Sequence, residues 1–149
     1  MGSPDPQHRV RSATAADAAA IRDLYRDGDA AGFASRLADV GAADGTSYFV
    51  AETQGEIVAV FALTSLGRLK PGARRRVMLH EIQLRARVRG TSVVEDVFSW
   101  LQSDLGAGGE VELLALTPLE QQPSVFTRFG LSESHRIFKW AAAGWGEGA

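Results

Sequence analysis

The residues best suited to chemistry lie in an arginine-rich turn between an apolar strand end and an amphipathic helix. The stretch 84–101 places Arg85, Arg87 and Arg89 just before Gly90, Thr91 and Ser92, where the helix would begin. The first backbone N–H groups of a helix have no partner inside it, and the helix dipole is positive at that end. Such a turn can hold a phosphate group, and three arginine side chains would strengthen the attraction.

The distribution of charge supports an anion site in the same region. The chain has 16 Lys and Arg against 18 Asp and Glu among its 149 residues, a net charge of −2. Half of the basic residues fall in residues 67–90, where Glu81 is the only acid. This segregation predicts a local positive field suited to phosphates. A solvated basic loop leading into a charged helix entry is an equally good interpretation.

Composition narrows the class of protein. The length predicts one domain, 1–149, with flexible ends at 1–7 and 144–149. The absence of cysteine excludes disulfides, thiolate metal sites and cysteine nucleophiles. The three histidines are isolated, so no metal site is expected. There is no apolar run of the roughly 20 residues that a membrane span needs and no apolar leader at the start, so a cytoplasmic protein is expected.

Hydrophobic periodicity and turn residues predict the order of the elements. Strands are expected at 8–13, 47–53, 56–65, 75–84, 111–116 and 134–142, the fifth of them buried. Helices are expected at 14–28, 33–41, 92–105 and 120–129, the first capped by Thr14 with Asp17. Gln54-Gly55 marks a hairpin turn. The order predicts a mixed α+β or α/β fold with a single sheet.

Three segments, in this order and spacing, carry a resemblance to a known superfamily. They are the opening Val-Arg-Ser-Ala-Thr-Ala-Ala-Asp at 10–17, the arginine turn with its helix, and Phe-Thr-Arg-Phe-Gly-Leu at 126–131. Together with the element order over nearly the whole chain, they resemble the GNAT N-acetyltransferase superfamily. The resemblance implies a mixed, mostly antiparallel sheet flanked by helices. It also implies that the turn holds the pyrophosphate of coenzyme A, from acetyl-CoA or another acyl-CoA.

Two registers of the superfamily's pyrophosphate motif compete in the turn. A motif starting at Arg87 keeps one glycine but places Glu95 and Asp96 at core positions of the helix. A motif starting at Arg89 loses the glycine and places Val97 and Phe98 there instead. Burying two unpaired carboxylates would cost several kcal/mol, whereas losing a glycine costs about 1 kcal/mol. The second register is favoured.

In this register the resemblance implies a set of coenzyme A contacts on the strand end, the turn and the late helix. They are Ile82, Gln83, Leu84, Arg85, Arg87, Arg89, Gly90, Thr91, Ser92 and Phe126. Ser92 and Val94 stand where the superfamily favours smaller residues, and Ser92 with Glu95 matches a capping box. Glu95 and Asp96 would oppose a bound pyrophosphate.

His80 and Glu81 are the candidate catalytic residues. The resemblance places His80 at a strand position where some members carry a general base, and imidazole titrates near neutrality. A hydrogen-bonded structural histidine is an equal alternative. Glu81 should point to the opposite face unless a bulge intervenes, and could act as a base, bind a cationic amine or pair with the arginines at 74–76.

The late helix departs from the superfamily pattern. Phe126 stands in place of the usual tyrosine proton donor, and Leu119 in place of a common asparagine. Five aromatic residues could line a pocket but are more typical of a core: Trp100, Phe126, Phe129, Phe138 and Trp140.

The resemblance implies transfer of an acetyl or other acyl group from coenzyme A to an amine of a small molecule. The alternative is a GNAT-fold protein that no longer uses coenzyme A in the ordinary way and acts on another ligand in the same cleft, in a specialised biosynthetic pathway. Binding of nucleic acid through basic residues 68–76 is the least favoured interpretation, because aromatic residues do not alternate with them. No membrane partner is expected, and a homodimer is left open.

Overall fold

The computed structural model describes residues 8–25, 28–39, 45–67, 69–72, 74–85, 92–106, 110–116 and 124–140. Five strands form one sheet in chain order: β1 Arg9–Ser12, β2 Thr46–Thr53, β3 Glu56–Leu66, β4 Arg75–Leu84 and β5 Val111–Ala115. The first four strands pair antiparallel, and β5 runs parallel to β4. The helices are α1 Ala18–Tyr25, α2 Ala30–Asp39, α3 Val93–Gly106 and α4 Ser124–Arg128. This architecture confirms the predicted mixed, mostly antiparallel sheet flanked by helices.

Apolar clusters cover both faces of the sheet. On one face α3 contributes Phe98 and Leu101, which pack with Phe61 of β3 and Leu79 of β4. On the other face α1 packs Ile21 and Leu24 against Val50 and Val60, and Leu37 of α2 packs beside them. The sheet is therefore held between α3 and the pair α1 and α2, with β4 in contact with both sides.

The core positions of α3 agree with the favoured register of the turn. Val97 and Phe98 are buried and Glu95 is exposed, whereas the Asp96 side chain is only 17% exposed and is paired with His8. A carboxylate is thus found in a largely buried position only where it has a partner.

The predicted cap of the first helical segment is confirmed. A short 3₁₀ turn, Ala15–Asp17, precedes α1, and the backbone N–H of Thr14 donates to Asp17 Oδ2 at 2.8 Å. The guanidinium of Arg11 donates to both carboxylate oxygens of Asp17, at 2.8 and 2.9 Å. The hydrogen bond from Arg11 outweighs burial and holds the pKa of Asp17 below its usual range.

Asp17→Asn should therefore destabilise the protein at neutral pH by about 1.5 kcal/mol, because it leaves Arg11 without its main partner. A carboxyl with a lowered pKa stabilises the fold above its ordinary pKa, and this contribution disappears as the pH falls through the folded-state value. Urea unfolding should consequently show the difference at neutral pH and lose it in acid. Asp23→Asn is the control, since the partner of Asp23 among the described residues is Arg22 and the pair is exposed. Equal losses of stability in the two variants would contradict this role of Asp17.

The C-terminal part departs from the prediction. Residues 131–140 form no strand and are largely exposed, so the strand expected at 134–142 is wrong over its described part. β-Branched and aromatic residues favour a strand only when a neighbouring strand pairs with them. The predicted helix 120–129 is present as Ser124–Arg128, and 120–123 lie outside the described residues.

The position of β5 at the edge of the sheet explains why it is less buried than predicted. All of its residues are partly rather than fully buried, in contrast to the prediction. β5 lies at the end of the strand order, so one of its edges has no neighbouring strand among the described residues. Within the same part of the chain, no helix is long and apolar enough to cross a membrane, and no group of His, Asp and Glu is arranged to hold a metal ion.

Candidate active site

A β-bulge in β4 marks the candidate site. The pairing of β3 with β4 shifts between Ala62↔His80 and Val60↔Gln83, so β4 carries one extra residue there. Glu81 has a φ of 57°, a left-handed conformation that is uncommon for a residue other than glycine. Unusual backbone of this kind persists where the surrounding structure enforces it, and it is frequent at functional sites.

β4 loses its other neighbour at the same point. Its parallel pairing with β5 ends at Leu79↔Ala115, followed by a backbone hydrogen bond from Leu116 to Leu79 of 2.8 Å. Beyond Leu79, no described residue of β5 pairs with β4. Among the described residues, the pairing of β4 with β5 therefore ends beside His80.

The bulge resets the alternation of side chains along β4. Leu79 packs into the core beneath α3, and so do Ile82 and Leu84 after the bulge. Glu81 is the extra residue, and its side chain reaches α1 on the opposite face of the sheet. The sequence allowed for a bulge at this point, and its presence brings His80 and Glu81 to the same side.

His80 lies at the end of a short polar chain. Its Nε2 is 2.6 Å from Thr64 Oγ1 of β3, which is 2.8 Å from Thr46 Oγ1 of β2. The ring is half-buried, and no described residue forms a hydrogen bond to Nδ1. This arrangement fixes the orientation of the imidazole through Nε2. It leaves Nδ1 able to exchange a proton with a substrate or a water molecule.

Glu81 is paired with a tyrosine distant in sequence. The hydroxyl of Tyr25, at the end of α1, donates to Glu81 Oε2 at 2.8 Å. Burial raises the pKa of Tyr25, and its hydrogen bond to Glu81 and the charge of that carboxylate add to the effect, with a smaller contribution from Tyr48. Tyr25 therefore stays protonated and acts as a donor. Its ring stacks on Phe33 of α2, with the centroids 5.3 Å apart.

The alternative pairing of Glu81 with an arginine at 74–76 is wrong for Arg74 and Arg76. Both of these arginines pair with acids of β5 or of the residue just before it. Arg76 Nε donates to Glu112 at 3.0 Å, and Arg74 lies 3.6 Å from Glu110. The carboxylate of Glu81 instead faces the α1 side of the sheet, where an incoming cationic amine could reach it.

Only parts of the predicted anion turn are described. Arg87, Arg89, Gly90 and Thr91 lie outside the described residues. The guanidinium of Arg85 donates to the carbonyl of Ile57 at 2.9 Å and lies 3.5 Å from Glu56. It also borders a surface cavity of about 420 Å³ beside the β2–β3 turn. Arg85 is thus bound to β3 in this structure, and its contact with a pyrophosphate stays a prediction.

The two acids at the start of α3 each have a hydrogen-bonding partner. Arg128 of α4 donates to Glu95 Oε1 at 2.7 Å. Asp96 Oδ2 accepts from the backbone of His8 at 3.1 Å and lies 2.7 Å from His8 Nδ1. Ser92 immediately precedes the helix, and its carbonyl accepts the N–H of Asp96. The repulsion that these acids would exert on a bound anion is reduced accordingly.

Phe126 belongs to the aromatic core beneath α3. Its ring meets Phe98 edge to face with the centroids 5.8 Å apart, and Phe129 stacks on Phe98 at 4.8 Å. Trp100 packs against Phe49 on the same side of the sheet. The core interpretation is confirmed for these aromatic residues and wrong for Phe138 and Trp140, which are exposed. Leu119 lies outside the described residues.

Comparison with solved structures identifies the fold. A transcriptional regulator from Bacillus halodurans C-125 superposes with a TM-score of 0.74 at 18% identity, covering 91% of this chain and 99% of that one. Glucosamine-6-phosphate N-acetyltransferase from Arabidopsis thaliana gives a TM-score of 0.73 at 16% identity, covering 89% and 97%. Aminoglycoside N-acetyltransferase AAC(6')-Iy in complex with CoA gives a TM-score of 0.68 at 14% identity, covering 96% and 99%. The protein has the fold of the GNAT acetyltransferases.

Sequence comparison adds nothing to this identification. No protein-family model matches the chain, and no curated protein matches it. The similarity therefore lies in the three-dimensional structure. Because the sequence identities are below 20%, each side chain of the site has to be considered separately.

Several polar residues that the fold brings to the bulge were not predicted from the sequence. Tyr25 is 56 positions from Glu81, and Thr64 is 16 positions from His80. Alternation along β2 places Thr46 and Tyr48 on the same face as Val50, which packs against α1. That period-2 pattern was the one available signal. It shows which face a residue occupies, but not which residues meet.

Proposed function

We propose that the protein is an N-acyltransferase that moves an acetyl or other acyl group from coenzyme A to an amine of a small molecule. The observation that carries the proposal is the coincidence of three features at one point of β4: the bulge, the end of its described pairing with β5, and the side chains of His80 and Glu81. The fold it shares with acetyltransferases supports the same reaction class.

The part of β4 that follows its described pairing with β5 suits an acyl thioester. The backbone groups of residues 82–84 on the open edge of β4 can bind an extended chain as a neighbouring strand would. The start of α3 lies further along the same connection, where free N–H groups and the arginines of the turn can bind the pyrophosphate. AAC(6')-Iy, a neighbour in fold, was solved with CoA bound, which supports coenzyme A as the acyl donor here.

The residues beside the bulge supply the acceptor half of the reaction. His80 takes a proton from the ammonium group of the acceptor, directly or through a water molecule. The free amine attacks the thioester carbonyl carbon, the new C–N bond forms, the C–S bond breaks, and the nitrogen releases its second proton to solvent. Thiolate is a good leaving group that solvent can protonate, so the absence of a hydroxyl at Phe126 does not prevent the reaction. Glu81 attracts the cationic acceptor before its proton is removed.

Binding of coenzyme A is the first test of the proposal. Calorimetric titration should give saturable binding of coenzyme A that weakens as salt is added. Arg89→Ala should weaken it about fivefold, because one charge-assisted contact to the pyrophosphate is lost. Arg22→Ala, an exposed arginine of α1 on the other side of the sheet, is the matched control. Equal affinities of wild type, Arg89→Ala and the control would contradict this register of the turn.

The packing of Phe126 favours a second candidate function. The position that carries a proton donor in many related enzymes is here part of an aromatic core. A protein that no longer uses coenzyme A in the ordinary way and binds another ligand in the same cleft would not need a proton donor at position 126. Failure to bind coenzyme A, with no acyl transfer to a broad panel of amines, would favour this second function.

A further inference from the structure

Three hydrogen-bonding side chains form a line across the sheet that ends at His80. Thr46 of β2 and Thr64 of β3 are direct partners in the strand register, and their Oγ1 atoms lie 2.8 Å apart. Thr64 Oγ1 also lies 2.6 Å from Nε2 of His80 on β4. All three residues are half-buried. Each contact needs one donor and one acceptor, so the positions of the hydrogen atoms along the line depend on one another.

The middle residue of this line, Thr64, has a single hydrogen to donate. In one direction of the line, Nε2–H of His80 donates to Thr64, and Thr64 donates to Thr46. In the opposite direction, Thr46 donates to Thr64, and Thr64 donates to an Nε2 that carries no hydrogen. A neutral imidazole has one N–H, so the first direction leaves Nδ1 as an acceptor and the second places the hydrogen on Nδ1. A base at Nδ1 therefore requires the first direction.

The protonated ring requires the same direction. Once His80 has taken a proton, both ring nitrogens carry hydrogen and neither can accept a hydrogen bond. Thr64 then has to accept from Nε2, and its own hydrogen again points to Thr46. The oxygen of Thr46 is thus needed as an acceptor before and after the proton moves, since a half-buried hydroxyl hydrogen without an acceptor costs free energy.

We propose that Thr46 is a positioning residue of the reaction: by accepting from Thr64 it keeps the hydrogen of His80 on Nε2 and leaves Nδ1 free to take the proton of the amine. The inference rests on the proposed function, in which His80 is the base. Thr46 acts entirely through Thr64, one strand away from the imidazole. The hydroxyl of Thr46 should consequently matter more than that of Thr64, although Thr64 is the residue that contacts the ring.

The rates of three variants test this order. In Thr46→Val, Thr64 keeps one acceptor, Nε2 of His80, so the line reverses, Nδ1 gains the hydrogen, and the rate of acyl transfer should fall about tenfold. In Thr64→Val the ring has no partner in the line and adopts the Nε2–H form that histidine favours in water, so the loss should be smaller. Combining the two substitutions should return the rate to that of Thr64→Val, because no hydroxyl is left to donate to Nε2.

Two controls separate the hydroxyl from the fold of the strand. Thr46→Ser keeps the hydroxyl and should keep the wild-type rate. Thr53→Val removes a half-buried hydroxyl at the other end of β2 and should also leave the rate unchanged. A loss of rate in Thr46→Val that Thr53→Val shares, or that adding Thr64→Val does not relieve, would indicate damage to the strand and would overturn the proposal.

The tautomer of His80 can be measured without substrate or coenzyme A. The ¹⁵N chemical shifts of an imidazole distinguish a nitrogen that carries hydrogen from one that does not. The chain has three histidines, so comparison with His80→Gln identifies the signals of His80. At a pH where the ring is neutral, the hydrogen should lie on Nε2 in the wild type, in Thr64→Val and in the double variant. It should lie on Nδ1 in Thr46→Val.

This measurement separates failure of the inference from failure of the proposed function. A hydrogen on Nδ1 in the wild type, or one that stays on Nε2 in Thr46→Val, would overturn the role of Thr46 even if the protein transfers acyl groups. The expected tautomers in a protein that transfers no acyl group to any amine of a broad panel would instead overturn the proposed function, and the role of Thr46 in it.

Discussion

Replacing His80 with alanine is expected to lower the rate of acyl transfer about 100-fold. The imidazole is held through Nε2 by Thr64, near the point where the described pairing of β4 with β5 ends, and no described residue forms a hydrogen bond to its Nδ1. A general base has to be unprotonated to accept the proton of the ammonium group, so the wild-type rate should rise with pH. His80→Ala should lose that rise along with most of the rate. Initial rates against pH with a small amine acceptor measure both effects.

Two further variants separate a base from a structural histidine. His80→Gln can keep a hydrogen bond to Thr64 but cannot titrate, so it should be as slow as the alanine variant. Thr64→Val removes the hydrogen bond and keeps the imidazole, so it should slow the reaction less and leave the shape of the pH profile unchanged. If His80 were needed only for folding, replacing it would lower the stability of the protein without changing the pH profile of the reaction. That outcome would exclude His80 from proton transfer.

Local signals explain why much of the fold could be predicted from the sequence. The cap of Thr14 and Asp17 and the hairpin at Gln54-Gly55 depend on residues next to each other in the chain. Both are present: Thr53 pairs with Glu56 across the turn, and Gln54 and Gly55 have the positive φ angles that such a turn needs. The core positions of α3 followed from periodicity and the cost of burying charge.

Contacts between distant elements could not be predicted in the same way. The bulge at Glu81 arises where β3 and β4 pair, and its position depends on packing on both faces of the sheet. The hydrogen bond from Tyr25 depends on where α1 ends above that bulge. Segment 131–140 shows the converse. Its residues favour a strand, but a strand also needs a neighbour, and none of the described strands pairs with it.

The pair of Tyr25 and Glu81 leads to the second expected result. Glu81→Gln keeps the length of the side chain and an oxygen that can accept from Tyr25, but it removes the negative charge beside His80. For a cationic amine the variant should lower kcat/KM about fivefold, mainly through a higher KM, since Glu81 is exposed and an ion pair at an exposed position contributes up to about 1 kcal/mol. Steady-state kinetics with the same acceptor as for His80 measure the change.

Tyr25→Phe is the matched control for this role of Glu81. It keeps the stacking on Phe33 and removes only the hydrogen bond that orients the carboxylate. It should therefore raise KM less than Glu81→Gln does, and the double variant should be no worse than Glu81→Gln alone, because Tyr25 acts on the acceptor through that carboxylate. Additive losses would show that the two residues act independently. An unchanged KM in Glu81→Gln would contradict binding of the cationic acceptor by Glu81. The role of Glu81 would then be limited to the structure of the bulge.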